Sequence, residues 1–222
     1  MKPLLITIDG PAGAGKTTVS RILADRLAYR YIDTGALYRA VALLAHRRGI
    51  SAQDDAGLAL LCRDLTLTFV RGPNGVRLIC NEEDVSDPIR QPDITMLASA
   101  VSARPLVRLF LLEVQRRLAK EKGVVFEGRD MGTEVFPEAD IKFFLDAASD
   151  TRAVRRHREL DNDTGQSLDA VRQDMQRRDH ADSTRTLAPL RPAADAIIID
   201  STNMDIEQVV DTLLGHIGEP RA

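Results

Sequence analysis

Cysteine is scarce in this chain: 222 residues contain two, Cys62 and Cys80. They lack the spacing of a metal-binding pair and sit in apolar surroundings, so they read as reduced, packed thiols instead of a disulfide. No apolar run approaches the length of a membrane span, and the N-terminus enters a strand-like segment at once in place of a signal-peptide pattern. Both features predict a cytoplasmic chain with no membrane partner. Excess positive charge is also missing. The 30 Lys and Arg residues face 33 Asp and Glu residues for a net charge of -3, which argues against non-specific nucleic-acid binding because that needs a basic surface to displace phosphate counterions. There is no internal repeat and no low-complexity linker. The remainder is ordinary for a globular protein, with 44% hydrophobic and 28% charged residues, enough for one substantial core plus a small inserted module.

The most informative stretch is Gly10-Pro11-Ala12-Gly13-Ala14-Gly15-Lys16-Thr17, a full match to the phosphate-cradling pattern G-x-x-x-x-G-K-[ST]. Its setting matches too. Leu4 to Ile8 forms an apolar run before it, and Val19, Ile22, Leu23 and Leu27 fall on one helical face after it, so the loop joins a buried strand to a helix N-terminus. Glycines let successive N–H groups turn toward one centre, and the helix start adds unpaired donors and partial positive charge. The residues from Gly10 to Thr18 are therefore read as the ATP-binding loop, with Lys16 on the β and γ phosphates and the Thr17 hydroxyl on a magnesium ion.

Further along, Tyr31-Ile32, Val124 to Phe126, Ile141 to Leu145 and Ala196 to Ile199 read as short buried strands separated by helical patterns. Five such strands predict an α/β fold of the P-loop NTPase type, a doubly wound five-stranded parallel sheet with helices on both faces. Leu65, Leu67 and Phe69, then Gly72-Pro73-Asn74-Gly75, then Val76, Leu78 and Cys80 give the alternation and turn of an antiparallel hairpin. A hairpin fits poorly inside strand-helix alternation, so residues 62–97 are read as an inserted antiparallel module, with 1–61 and 98–222 forming the core. A lid over the site is expected at about residues 155–168, where Asn162-Asp163-Thr164-Gly165 breaks a helical pattern; closure there would keep water from competing as acceptor. No exposed apolar heptad suggests an obligate dimer, so a monomer is expected.

A phosphate loop alone leaves switch, motor and kinase open. Four segments carry arginines beside short polar residues: Asp33 to Arg39, Glu127 to Thr133, Arg152 to Arg158 and Arg177 to Arg185. In a parallel sheet, ligands sit beyond the carboxyl ends of the strands, and the first two segments follow strands, which places Arg39 and Arg129 near the phosphate loop. A second anion beside ATP explains them. Phosphoryl transfer between two polyanions needs fixed cations to offset repulsion and align the reactants, and the planar arginine fork suits that task. On the third segment Arg152, Arg155 and Arg156 lie close on one helix face while Arg158 points elsewhere; Arg155 is taken as the ATP contact. His157 and His180 read as surface histidines.

The run from Ile6 through the phosphate loop, Asp33-Thr34-Gly35-Ala36-Leu37-Tyr38-Arg39, Gly128 to Pro137 and Arg178 through Arg185 resemble the signatures of bacterial cytidylate kinases, within the P-loop nucleoside monophosphate kinase superfamily. The resemblance spans nearly the whole chain and includes the hairpin region, the module that binds the monophosphate in that family. It implies transfer of the γ-phosphoryl group of ATP to CMP or dCMP with Mg2+. It also implies Thr34, Arg39, Ser99, Arg108, Arg129, Asp130, Arg178, Asp182 and Arg185 as acceptor-site residues, and Lys16, Arg129 and Arg185 as catalytic ones. Asp130 suits the exocyclic amine of cytosine, Ser99 and Arg108 the ring acceptors, Arg178 and Asp182 the sugar hydroxyls, and Arg39, Arg129 and Arg185 the phosphate. Family members commonly carry serine where this chain has Thr34. Glu127 stands where phosphate-loop enzymes often place a magnesium-orienting aspartate; an alternative reading makes it a partner for a nearby arginine. Kinases for UMP, AMP or shikimate share the core and the arginine logic, and a non-enzymatic nucleotide switch shares the loop.

Overall fold

The computed structural model describes residues 2–72, 75–160 and 165–218. The expected turn at Pro73-Asn74 and the centre of the expected lid, 161–164, lie outside the described residues. The chain divides into two compact units, one made of Met1–Tyr31 and Glu121–Ala222, the other of Ile32–Lys120.

The first unit is built on a sheet whose strands are β1 (Leu5–Asp9), β2 (Arg30–Asp33), β6 (Val124–Gly128), β7 (Ile141–Asp146) and β8 (Ile197–Asp200), in the order β2-β6-β1-β7-β8. The ladders of β1 with β6, β1 with β7 and β7 with β8 are parallel. This is the expected five-stranded parallel sheet. Every residue of β1 and β6 is buried, which is why both read as continuous apolar runs instead of alternating ones. Alternation still sorts the side chains. Ile6, Ile8 and Val125 join a core with Val19 and Leu23 of α1 (Lys16–Leu27) and with Val209, Val210 and Leu213 of α8 (Ile206–Gly218). Glu127, two residues past Val125, faces the same side, whereas Asp9 accepts from a turn on the other. Asp205 opens α8 with a reciprocal cap: Asp205 Oδ1 accepts from Gln208 N, and Gln208 Oε1 accepts from Asp205 N, both at 2.9 Å. Two further helices, α6 (Ser149–Leu160) and α7 (Leu168–Thr184), complete this unit.

The second unit holds α2 (Thr34–Arg47), α3 (Asp55–Arg63), α4 (Pro92–Ser102) and α5 (Pro105–Ala119) around one apolar cluster, to which the strands contribute Leu67, Leu78 and Cys80. Asp33 and Asp54 cap α2 and α3 by accepting from Ala36 N at 3.1 Å and Gly57 N at 2.9 Å. The expected hairpin is present as β3 (Leu67–Gly72) and β4 (Gly75–Cys80), and a short third strand, β5 (Glu83–Asp84), extends it. Because the sheet shares its core with four helices, the compact unit runs from residue 32 to 120, wider than the 62–97 insert read from periodicity. Both cysteines are free and buried, and burial pushes each thiol up to about 11, which keeps them unreactive at neutral pH. Among the described residues no single helix is long and apolar enough to cross a membrane.

Candidate active site

In the first unit the loop after β1 needs its glycines for space as much as for conformation. Gly10 has φ of +148°, and a Cβ there would stand 2.0 Å from the Leu145 carbonyl oxygen of the neighbouring strand. Gly15, at φ +89°, is the N-cap of α1 and supplies no side-chain cap, so the first N–H groups of that helix remain available to an anion. Lys16 is buried and its Nζ donates to Pro11 O at 2.6 Å, across the mouth of its own loop. Burial, then the charge of Arg129, push this ammonium well below its usual range, against a counter-pull from Glu127, Asp9 and Asp182. Gly128 stands opposite Asp9 in the parallel register, so Arg129, read as an acceptor-site residue, follows its strand next to the start of the loop, and Asp182, read likewise, accepts from it at 3.1 Å.

The Thr17 hydroxyl donates to Glu127 Oε1 at 2.9 Å, and the Tyr31 hydroxyl donates to the same oxygen at 2.8 Å. Glu127 is therefore a buried carboxylate that accepts from the loop threonine. Sequence reasoning weighed it and left it out of the site; the signal that finds it is the parallel register that sets Ile8 opposite Glu127, one residue short of the strand ends.

The residues of this unit read from the sequence as acceptor contacts form a charge network. Arg129 Nε donates to Asp182 Oδ2 at 3.1 Å, Arg185 lies 3.7 Å from Asp130 and 3.6 Å from Asp182, and Arg185 Nε donates to Ala188 O at 2.6 Å. Arg178 is half-buried on α7, one turn before Asp182. Behind the network is Asp9, missed in the sequence because it reads as a strand end. It accepts from Met131 N at 2.9 Å and Gly132 N at 2.8 Å, which fixes the single π-helical turn Met131–Val135 that immediately follows Arg129 and Asp130. Burial raises this carboxyl from 3.8 to about 6, with the two N–H groups pulling the other way.

The third arginine segment divides its contacts. Arg152, not Arg155, touches the phosphate loop, donating to Ala12 O at 3.0 Å. Arg155 instead donates to Ser201 Oγ at 3.0 Å and Ser201 O at 2.7 Å. It lines a surface cavity of about 340 Å3 together with Asp150, Thr151, Val154 and Arg158. His157 meets Gln166 O at 2.9 Å, and His180 is exposed, as expected of surface histidines.

In the second unit, Thr34 is buried at the first turn of α2, and Arg39 one turn later pairs with Asp33 at 2.7 Å. Gly35 leaves room for that pair: a Cβ there would lie 3.0 Å from Arg39 Nη1 and 3.1 Å from Asp33 Oδ1. Arg108 donates to Ser102 O at 3.2 Å and stands 5.8 Å from the centre of the Tyr38 ring, a cation over an aromatic face. Ser99 is exposed on α4, with its carbonyl accepting from Ser102 Oγ at 2.8 Å.

The cytidylate kinase family model matches residues 6–219. A cytidylate kinase of Geobacter sulfurreducens is 53% identical over 218 residues, covering 97% of this chain and 93% of its own. One from Carboxydothermus hydrogenoformans is 46% identical, with 96% of each chain covered. Among solved structures, an uncharacterized protein from Eubacterium ventriosum superposes with a TM-score of 0.52 at 15% identity, covering 97% of this chain and 98% of its own, a likeness of fold alone. With a family match from β1 to the last turn of α8 and relatives near half identity across both units, the chain belongs to the cytidylate kinase family.

Proposed function

We propose that this chain transfers the γ-phosphoryl group of ATP to CMP or dCMP, giving ADP and CDP or dCDP. The observation that carries the reading is the parallel register that sets Gly128 opposite Asp9, so that Arg129, paired with Asp182 at 3.1 Å, follows its strand beside the start of the phosphate loop. In the step itself, a phosphate oxygen of the acceptor forms a bond to the γ phosphorus as the bond to the β–γ bridging oxygen breaks, and that electron pair leaves on ADP. No base is required, because the acceptor phosphate is largely ionised near neutral pH.

Lys16 is assigned to the β and γ phosphates; their charge restores the proton affinity that burial takes from its ammonium. The backbone from Gly10 to Thr18 cradles the triphosphate. The donor set at the loop end fits Mg2+, since a threonine hydroxyl and a buried carboxylate 2.9 Å apart are hard oxygen ligands of the kind the ion takes alongside phosphates. Thr17 would hold the ion and Glu127 would orient it; bound there, Mg2+ supplies charge neutralisation of the phosphates. The cavity beside Arg155 is assigned to the adenosine end of ATP, one helical turn on from the contact of Arg152 with the loop.

Arg129 and Arg185 are assigned to the transferring and accepting phosphates, Asp130 to the cytosine amine, and Arg178 and Asp182 to the sugar hydroxyls. In the second unit Arg39 is assigned to the acceptor phosphate, Thr34 to a polar contact with the acceptor, and Ser99 and Arg108 to the cytosine ring. A carbonyl in place of the amine would set an acceptor against Asp130, so uracil is rejected by repulsion. The reaction is assigned to the cytoplasm, and one chain carries every assigned contact, so a monomer suffices. Release of ADP at fixed ATP and Mg2+ should be fastest with CMP and dCMP; a faster rate with UMP, AMP or shikimate would overturn the assignment.

A further inference from the structure

Arg152 holds two parts of the first unit that the chemistry needs in register. It is 7% exposed, and its guanidinium makes three hydrogen bonds: Nε donates to Ala147 O at 2.9 Å, while Nη1 donates both to Ala12 O at 3.0 Å and to Asp179 Oδ2 at 2.6 Å. Ala12 is in the phosphate loop and Asp179 is on α7, so one nitrogen joins the donor loop to that helix. The joint is also packed. Ala12, Ala153, Val171 and Met175 form a small apolar cluster, and a Cβ on Gly13 would lie 2.7 Å from Met175 Cε and 2.8 Å from Arg152 O.

Along α7, Met175, Arg178, Asp179 and Asp182 follow at helical spacings of three and four, so they share one face. That stripe runs from the loop contact at Met175 and Asp179 to Asp182, which accepts from Arg129. A helix moves as a rigid body, so an adjustment of the loop on filling by triphosphate is delivered to Asp182 and Arg178 through the Arg152–Asp179 bond. Asp179 has no other use in the network: its Oδ1 is buried without a hydrogen-bond partner, and Oδ2 is committed to Arg152.

We propose that Arg152 and Asp179 are positioning residues that couple the donor and acceptor sites, so that filling the phosphate loop orders the acceptor-binding stripe of α7 and tightens the hold on the acceptor nucleotide. The inference rests on the reading of Arg178 and Asp182 as acceptor contacts. By linkage the effect is reciprocal: the acceptor tightens the loop's hold on triphosphate by the same factor.

The test is calorimetric titration of the intact chain with CMP, alone and saturated with Mg2+ and a non-hydrolysable ATP analogue. In the unmodified chain the analogue should tighten CMP by about 5-fold or more. Asp179→Ala should bind CMP alone within about 2-fold of the parent yet lose the enhancement, and Asp179→Asn, which keeps an acceptor for Arg152, should restore part of it. Absence of enhancement in the unmodified chain, or an undiminished factor in Asp179→Ala, overturns the proposal. If the alanine variant does not fold, the asparagine variant decides alone: a reduced factor supports the coupling and an unchanged one overturns it. Asp182→Ala separates the two readings, because it should weaken CMP binding without any analogue present, and failure there would strike the acceptor assignment instead.

Discussion

Replacing Asp9 by asparagine should remove a pH dependence from the stability of this protein. Asp9 is 4% exposed at the end of β1, and burial moves its carboxyl from 3.8 to about 6 despite two backbone N–H donors. The unfolded chain releases this proton near 3.8, so between the two values the folded protein holds a proton that the unfolded one has lost. A raised acid of this kind contributes stability that is complete below pH 3.8 and is lost as pH rises through 6. A displacement of about two units corresponds to roughly 3 kcal/mol. Asparagine fills the same space and does not titrate, although its amide sets a donor against Met131 N or Gly132 N and costs about 1 kcal/mol at every pH. The stability of the parent relative to Asp9→Asn should therefore fall by roughly 3 kcal/mol between about pH 4 and pH 7 and then level off. The chain has no tryptophan, so urea unfolding followed by far-ultraviolet circular dichroism at stepped pH is the suitable assay. A difference that stays constant across that range, or that grows with pH, would refute the account of Asp9 as a desolvated carboxylate.

Two other substitutions probe the loop. Gly10→Ala sets a methyl 2.0 Å from Leu145 O at a backbone angle closed to alanine, so we expect a loss of more than about 3 kcal/mol in the same unfolding assay, and a parent-like midpoint would contradict the loop geometry. Glu127→Gln keeps an acceptor for Thr17 and Tyr31 but removes the charge; the Mg2+ concentration needed for half-maximal ADP formation should rise about 10- to 100-fold with the KM for CMP little changed. An unmoved Mg2+ midpoint would return Glu127 to a purely structural part.

Legibility in the sequence followed the range of the interactions. The phosphate loop was readable because its glycines, lysine and helix start are contiguous, and β1, β6 and β7 because parallel burial makes each an apolar run. The hairpin was readable from its alternation, but β5 has two residues and no periodicity of its own. Helices α3 and α4 escaped because their apolar faces are completed by β3 and β4, so the unit they belong to was read too narrowly. Asp9 and Glu127 escaped for a different reason. Each gains its role from a partner more than one hundred residues away, Met131 and Gly132 in one case and Thr17 in the other, and no local spacing encodes that. The division of labour between Arg152 and Arg155 was likewise invisible, since both occupy one helical face and only the fold decides which meets Ala12 and which meets Ser201.

The aspartates beside the acceptor arginines have a physical logic. Arg129 and Arg185 have side chains 24% and 13% exposed, and both are paired with carboxylates, Arg129 with Asp182 and Arg185 with Asp130 and Asp182. Without a counter-charge, guanidinium groups so withdrawn from water would repel one another and disperse among rotamers; the aspartates hold them in place. The same pairing raises the barrier to the wrong anion, because any phosphate must take the guanidinium groups from a carboxylate and leave that carboxylate desolvated. Under the assignments proposed here, the nucleoside resolves the conflict it creates. As its phosphate draws Arg129 and Arg185, its cytosine amine offers Asp130 a donor and its sugar hydroxyl offers Asp182 another, so each displaced aspartate regains a partner. Free phosphate supplies the first half of that exchange and free cytidine the second. Only the intact monophosphate completes it, which makes a network of salt bridges in the empty protein a means of recognising the connection between base, sugar and phosphate.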